Sequence, residues 1–169
     1  MITKLFYTVQ FILLIIPSTN LSAGLPSNEK LDAVRKEGQK LIANYFSVKN
    51  GNGKCMTIDK KKRKTPGTEV KSFSCTKQGN QLWKLDGARV RFSTGLCLQP
   101  SGNGSKVGEI LQIALCDNSA KQNWVYENTL LKTASKLCVE VTPQDVSKEG
   151  GRIMLAPCNG KAHQQWKPE

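Results

Sequence analysis

The side chains of this chain that could do chemistry are six cysteines, a single histidine, a scatter of acids and a dense run of lysines. The cysteines could cross-link the chain or hold a metal. A zinc site usually shows cysteines paired with two residues between them, or closely spaced histidines, and neither pattern occurs here. With His163 as the one histidine, disulfides are expected, and no metal or other cofactor. His163 lies just before Gln164-Gln165-Trp166, with no serine or free cysteine nucleophile expected beside it. The acids Asp59, Glu140, Asp145 and Glu149 show no spacing that would set two carboxylates across a cleft. An enzyme is therefore not expected. Charge says more. Lys60-Lys61-Lys62-Arg63-Lys64 follows Asp59, and Lys71 and Lys77 come soon after. The chain has 25 Lys plus Arg against 13 Asp plus Glu, a formal net charge of +12. Such clusters meet polyanions, whether nucleic acid, heparin-like glycan or anionic surface, and otherwise serve as solvated loops.

The cysteines also keep time with the tryptophans. Cys75, Cys116 and Cys158 each precede a Gln-x-Trp triplet by six positions: Gln81-Leu82-Trp83, Gln122-Asn123-Trp124 and Gln164-Gln165-Trp166. The tryptophans lie 41 and 42 residues apart, and Cys55, Cys97 and Cys138 lie 42 and 41 apart. This is a threefold internal repeat. Each unit holds short strand-like runs, such as Tyr45 to Val48, Val90 to Ser93 and Ile110 to Leu115. Between them lie Gly, Asn, Ser and Lys stretches suited to turns. Many short strands at regular spacing predict an all-β sandwich or barrel. A unit of this size cannot bury its own apolar face, so the three must share one core. A glutamine two places before an indole reads as structural: the ring supplies apolar area and the amide ties down backbone.

The triplet with its upstream cysteine, and the opening Tyr45-Phe46-Ser47-Val48 ahead of Gly53-Lys54-Cys55, resemble the ricin B-chain-type (R-type) lectin domain. The resemblance covers roughly residues 45 to 168, and three copies in register make it specific. It implies a β-trefoil with lobes at about 45–86, 87–127 and 128–168, and a non-catalytic carbohydrate-binding function with glycans or glycoproteins as partners. Six cysteines allow fifteen pairings. The repeat selects pairing within each lobe, Cys55–Cys75, Cys97–Cys116 and Cys138–Cys158, over near-equal spans of 20, 19 and 20 residues. Each link is worth about 3 kcal/mol through restriction of the unfolded chain.

Sugar sites in that family lie one per lobe at most, and the resemblance implies their carriers. They are an aspartate two residues after the first cysteine, an aromatic two before the second, and an Asn just before the Gln-x-Trp glutamine. A carboxylate accepts hydroxyl hydrogen bonds, a ring stacks on the pyranose face, and an amide does both donor and acceptor work. In the first lobe Thr57 stands at the carboxylate position, Phe73 supplies the aromatic, Asn80 the amide, and Asp59 is a nearby acid. In the second, Gln99 replaces the carboxylate, Gln112 is a further candidate and Ala114 lacks the ring. In the third, Glu140 restores a carboxylate, but Ala156 lacks the ring and His163 replaces the amide. Asp59, Phe73, Asn80, Gln99, Gln112 and Glu140 are thus the candidate carbohydrate contacts. Lys60, Lys61, Lys62, Arg63, Lys64 and Lys71, placed beside the first pocket by the family comparison, are the candidate polyanion contacts. Together they point to sulfated or sialylated glycans. The alternative is a trefoil scaffold that binds protein partners or polyanions without reading sugar.

Residues 1–23 read as a secretory signal, with Lys4, the apolar run Leu5 to Ile16, Pro17, and Leu21-Ser22-Ala23 before the cut. The run falls short of the roughly 20 apolar residues a span needs, so no transmembrane segment is expected. Export to the extracellular space suits disulfides and argues against nucleic acid as the partner of the basic run. Within residues 24–44, Leu31, Val34, Leu41 and Ile42 share one face of an expected short helix, with Asn28 as its N-cap. Asn103-Gly104-Ser105 is a glycosylation acceptor in a Gly-rich loop.

Overall fold

The computed structural model describes residues 45–169. The expected leader over 1–23 and the expected helix within 24–44 lie outside the described residues.

Among the described residues twelve strands form, four to each copy of the repeat. The first copy holds β1 (Phe46–Asn50), β2 (Lys54–Thr57), β3 (Lys71–Ser74) and β4 (Leu82–Asp86). The second holds β5 (Arg89–Phe92), β6 (Cys97–Pro100), β7 (Leu111–Ala114) and β8 (Val125–Glu127). The third holds β9 (Leu130–Lys132), β10 (Leu137–Val141), β11 (Gly151–Pro157) and β12 (Trp166–Pro168). The middle two strands of each copy pair as an antiparallel hairpin, with Met56 opposite Ser72, Leu98 opposite Ile113 and Val139 opposite Leu155. The outer strands close around the core: β1 pairs with both β4 and β12, β4 with β5, and β8 with β9. This is the all-β architecture with a shared core expected from the repeat, in the trefoil arrangement that the resemblance implied.

A single 3-10 turn runs up to each triplet, at Gly79–Gln81, Ala120–Gln122 and Ala162–Gln164, so every repeat glutamine ends such a turn. The chain then drops its indole inward. Trp83, Trp124 and Trp166 are buried together with Met56, Ile58, Phe92, Leu98, Val139 and Leu155. Burying an indole removes about 200 Å² from water, roughly 5 kcal/mol at about 25 cal/mol per Å². Burial would strand the ring N–H, and the fold answers this the same way three times. Trp83 donates to the Met56 carbonyl at 3.0 Å, Trp124 to Leu98 at 3.0 Å and Trp166 to Val139 at 2.9 Å. Each acceptor belongs to the residue after the lobe's first cysteine.

Disulfides join Cys55 to Cys75, Cys97 to Cys116 and Cys138 to Cys158, with Cα separations of 5.1, 5.1 and 5.0 Å. The hairpins also grip one another. Glu69 bridges to Gln112, Ile110 bridges to Met154, and β11 pairs with β3 through Gly151 opposite Ser72. That last pairing lays the loop leading into β11, from the third copy, against β3 of the first.

Candidate functional site

In each lobe the Gln-x-Trp glutamine is a fixed tie. Its Oε1 accepts from the backbone N–H one residue after the second cysteine: Thr76 at 2.6 Å, Asp117 at 2.9 Å, Asn159 at 2.7 Å. Its Nε2 donates to the carbonyl one residue before that cysteine, at 2.8 to 2.9 Å. The second Nε2 hydrogen goes to the residue two after the first cysteine: Thr57 Oγ1 at 2.9 Å, Gln99 Oε1 at 2.9 Å and Glu140 Oε2 at 2.8 Å. All three of these side chains are buried. The amide therefore orients the position where a sugar-binding carboxylate would stand, and the lobes differ in what that position offers.

The first lobe opens a groove of about 1140 Å³. Phe73, on β3, lines it and is 36 % exposed. The tip of that ring abuts Gly150, whose φ of +76° and missing Cβ leave room for it; a Cβ there would come within 3.3 Å of Cζ. Asn80 also lines the groove and is only 8 % exposed. Its Nδ2 donates to the Ile58 carbonyl at 3.1 Å, while its Oδ1 has no partner within the protein. A buried acceptor without a partner is costly, and such an atom usually marks a strained or functional position. Thr57 offers less. Its hydroxyl donates to the Cys55 carbonyl at 2.9 Å and already accepts from Gln81.

The basic run divides. Lys60, Lys61 and Lys62 line the groove with Lys71, whereas Arg63 and Lys64 do not. Local geometry explains this. Asp59 Oδ1 accepts from the Lys61 N–H at 2.8 Å, and Lys62 N–H donates to the Asp59 carbonyl at 3.0 Å, a tight Asx-type turn that reverses the chain. Arg63 is carried past it, and its carbonyl accepts from Thr94 at 2.9 Å. Lys71 Nζ sits 3.5 Å from Glu69.

Sequence reasoning missed one wall of the groove. Glu149, from the third lobe, lines it with its side chain 51 % exposed. Its carboxylate accepts from Lys54 Nζ, from Ser74 Oγ at 2.6 Å and from Ser74 N–H at 2.9 Å. The Lys54 hydrogen bond foremost, then those from Ser74, hold its pKa down at about 2. Spacing could not reveal this partner, because it comes from another repeat through the β3–β11 pairing.

The remaining candidates do not line this groove. Gln99 is buried against Gln122, and Gln112 pairs with it across the second hairpin. Glu140 is buried with Gln164 and lies 3.6 Å from His163 Nε2. Of the six carbohydrate candidates, the structure brings together Asp59, Phe73 and Asn80. Asn103 is exposed on the β6–β7 loop, where its Oδ1 accepts from the Ser105 hydroxyl at 2.7 Å. Among the described residues, Cys55, Cys75 and Glu169 lie close enough to suggest a metal site, but the disulfide leaves no thiolate to bind one. No helix among the described residues is long and apolar enough to cross a membrane.

No curated protein sequence matches this chain at a significant level. Solved structures do match in fold. The C-half of an earthworm R-type lectin, solved in complex with GalNAc, superposes with a TM-score of 0.64 at 20% identity, covering 75% of this chain and 98% of that one. A mutant of the earthworm lectin C-terminal domain, in complex with 6'-sialyllactose, gives 0.62 at 21% over 75% and 98%. The agglutinin from Abrus precatorius gives 0.64 at 20% over 73% and 47%. The profile of the ricin-type beta-trefoil lectin domain matches residues 44–167, most of the chain, in agreement with its three buried Gln-x-Trp ties. This chain belongs to the ricin-type β-trefoil lectin domain family.

Proposed function

We propose that this protein is an exported, non-catalytic lectin whose first lobe holds an acidic or sulfated sugar. The observation that carries this reading is the first-lobe groove, where an exposed ring (Phe73), a buried unpartnered acceptor (Asn80 Oδ1) and three loop lysines converge. The ring offers a stacking face, the Asn80 oxygen takes a hydroxyl once its side chain turns towards the groove, and the lysines attract a sulfate or carboxylate as point charges. A fold relative was solved with GalNAc and a mutant of the earthworm lectin with 6'-sialyllactose, so the fold can hold neutral and acidic sugars alike. Export rests on the leader read from residues 1–23. Catalysis has little support: all six cysteines are tied in disulfides, and His163 packs beside a buried carboxylate. One observation favours the polyanion-scaffold alternative. Gln99 and Glu140, which would serve the other two lobes, are buried, and Ala114 and Ala156 stand there in place of a ring.

A glycan array read at low and high salt separates the two. A lectin should retain selectivity among isomeric sulfated sugars at high salt, and Phe73→Ala should lose that selectivity. A scaffold should bind all polyanions alike, release them together as salt screens the charges, and ignore the Phe73 change.

A further inference from the structure

We propose that the first-lobe groove is a two-lobe site, in which Glu149 of the third lobe is the hydroxyl acceptor that the first lobe lacks. This rests on the reading of the groove as a sugar site. The first lobe has Thr57 where a carboxylate would accept sugar hydroxyls, and that hydroxyl is buried with its donor and one lone pair in use. Two other acids line the groove. Asp59 spends one oxygen on the turn of the basic loop, and Glu69 pairs with Lys71 at 3.5 Å.

Glu149 differs from both in how it is held. Oε1 takes two donors, Lys54 Nζ and the Ser74 hydroxyl, while Oε2 takes only the Ser74 N–H. A carboxylate has about four acceptor directions, so Oε2 keeps one free. Three donors on two oxygens lock the rotamer before any ligand arrives, which spares the ordering cost that an exposed glutamate would otherwise bear. Ring and carboxylate also share one frame. Ser74, which holds Glu149, follows Phe73 in β3; Gly150, which follows Glu149, meets the ring tip. The Gly150 N–H donates to the Ser72 carbonyl at 2.8 Å, continuing the β3–β11 ladder through this point.

The ligand class follows from the division of charge. Glu149 enters from the loop before β11, and Lys60, Lys61 and Lys62 from the loop between β2 and β3. A sugar that satisfies both must present free hydroxyls to the acid and an anionic substituent to the lysines. A fully sulfated polymer would set its charge against Glu149. Sparsely sulfated or singly charged sugars fit better than heparin-like chains.

The test is an NMR titration of the disulfide-bonded protein with N-acetylgalactosamine, its sulfate monoester, and analogues each lacking one hydroxyl. Parent, Glu149→Gln and Phe73→Ala are compared. Both sugars are expected to shift the Ser74 and Gly150 amides of the parent, and Glu149→Gln to weaken both by roughly tenfold, as loss of a charge-assisted hydrogen bond would. For one hydroxyl, its deletion should weaken the parent by a similar factor and leave Glu149→Gln unchanged. That coupling reports a direct contact, because a merely structural glutamate would leave the deletion equally costly in both proteins. If Phe73→Ala abolishes binding while no hydroxyl deletion couples to Glu149, the groove binds sugar and the two-lobe proposal is wrong. If neither sugar shifts any groove amide of the parent, the sugar reading fails and the proposal with it.

Discussion

At the scale of single residues, the repeat is a device for burying polarity without leaving it unsatisfied. An indole in the core brings large apolar area and one N–H that must find an acceptor. An amide beside it can bond three groups at once, and Gln81, Gln122 and Gln164 all do. The two roles make distinct claims on stability. Trp124→Ala should cost about 3–5 kcal/mol, since a large core ring is deleted and the site collapses only in part. Trp124→Phe should cost less, but it leaves the Leu98 carbonyl without the indole donor, a penalty of about 1–3 kcal/mol in addition to the lost ring volume. Urea denaturation of the two variants checks the order. If Trp124→Phe proves as stable as the parent, the indole hydrogen bond contributes nothing and tryptophan recurs for another reason. These positions were legible in the sequence because a structural demand repeats wherever the fold repeats.

At the scale of elements, the loop running into β11 is held by two acids, Asp145 through partners within a few residues of it and Glu149 through partners in the first lobe. Asp145 is pulled down to a pKa of about 2, chiefly by the hydrogen bond from Lys148, then by Thr142 and the Arg152 N–H. Glu149 is likewise held at about 2, by Lys54 and then Ser74. Both folded values lie below the ordinary 3.8 and 4.5. Their contribution is therefore complete above the ordinary values and is lost as pH falls from about 4.5 towards about 2. Both sites are solvent-facing, so salt should blunt the effect. Thermal melts across this range should show the midpoint falling with pH, and Glu149→Gln should flatten part of that fall. A midpoint equally pH-sensitive in parent and variant would remove Glu149 from the account. The strand pattern behind this loop was partly legible. Runs expected at Tyr45 to Val48, Val90 to Ser93 and Ile110 to Leu115 appear as β1, β5 and β7 with ends shifted by one or two residues. The pairing of β3 with β11 was not, since hydrophobic alternation says which face of a strand is buried but not which strand lies beside it.

At the scale of the whole molecule, three similar lobes have been given unequal surfaces. The first combines a ring, a free buried acceptor and a lysine loop, while the equivalent ring positions in the others are Ala114 and Ala156. The sequence showed this asymmetry, because loss of an aromatic is visible at a fixed place in a repeat. It did not show which lysines face the groove, since that depends on the turn made by Asp59, nor that the third lobe supplies Glu149. The net charge of +12 raises a sharper question. A strongly basic protein attracts anions everywhere, and general attraction can pass for a site. The two separate when equal charge is removed from different places. Lys60→Ala, Lys61→Ala and Lys62→Ala together take three charges from the groove. Lys106→Ala, Lys161→Ala and Lys167→Ala together take three from exposed positions that do not line it. Both triple variants leave the same net charge, so the attraction felt far from the protein weakens equally in each. Local point charges are worth about 0.5–1 kcal/mol apiece when partly exposed, by analogy with measured surface pairs. The groove triple should therefore bind the sulfate monoester of N-acetylgalactosamine about tenfold or more weakly than the control triple at moderate ionic strength. Affinity for N-acetylgalactosamine itself should be the same in both. Equal losses in the two triples, measured by titration at matched salt, would reduce the lysine loop to a share of the general field.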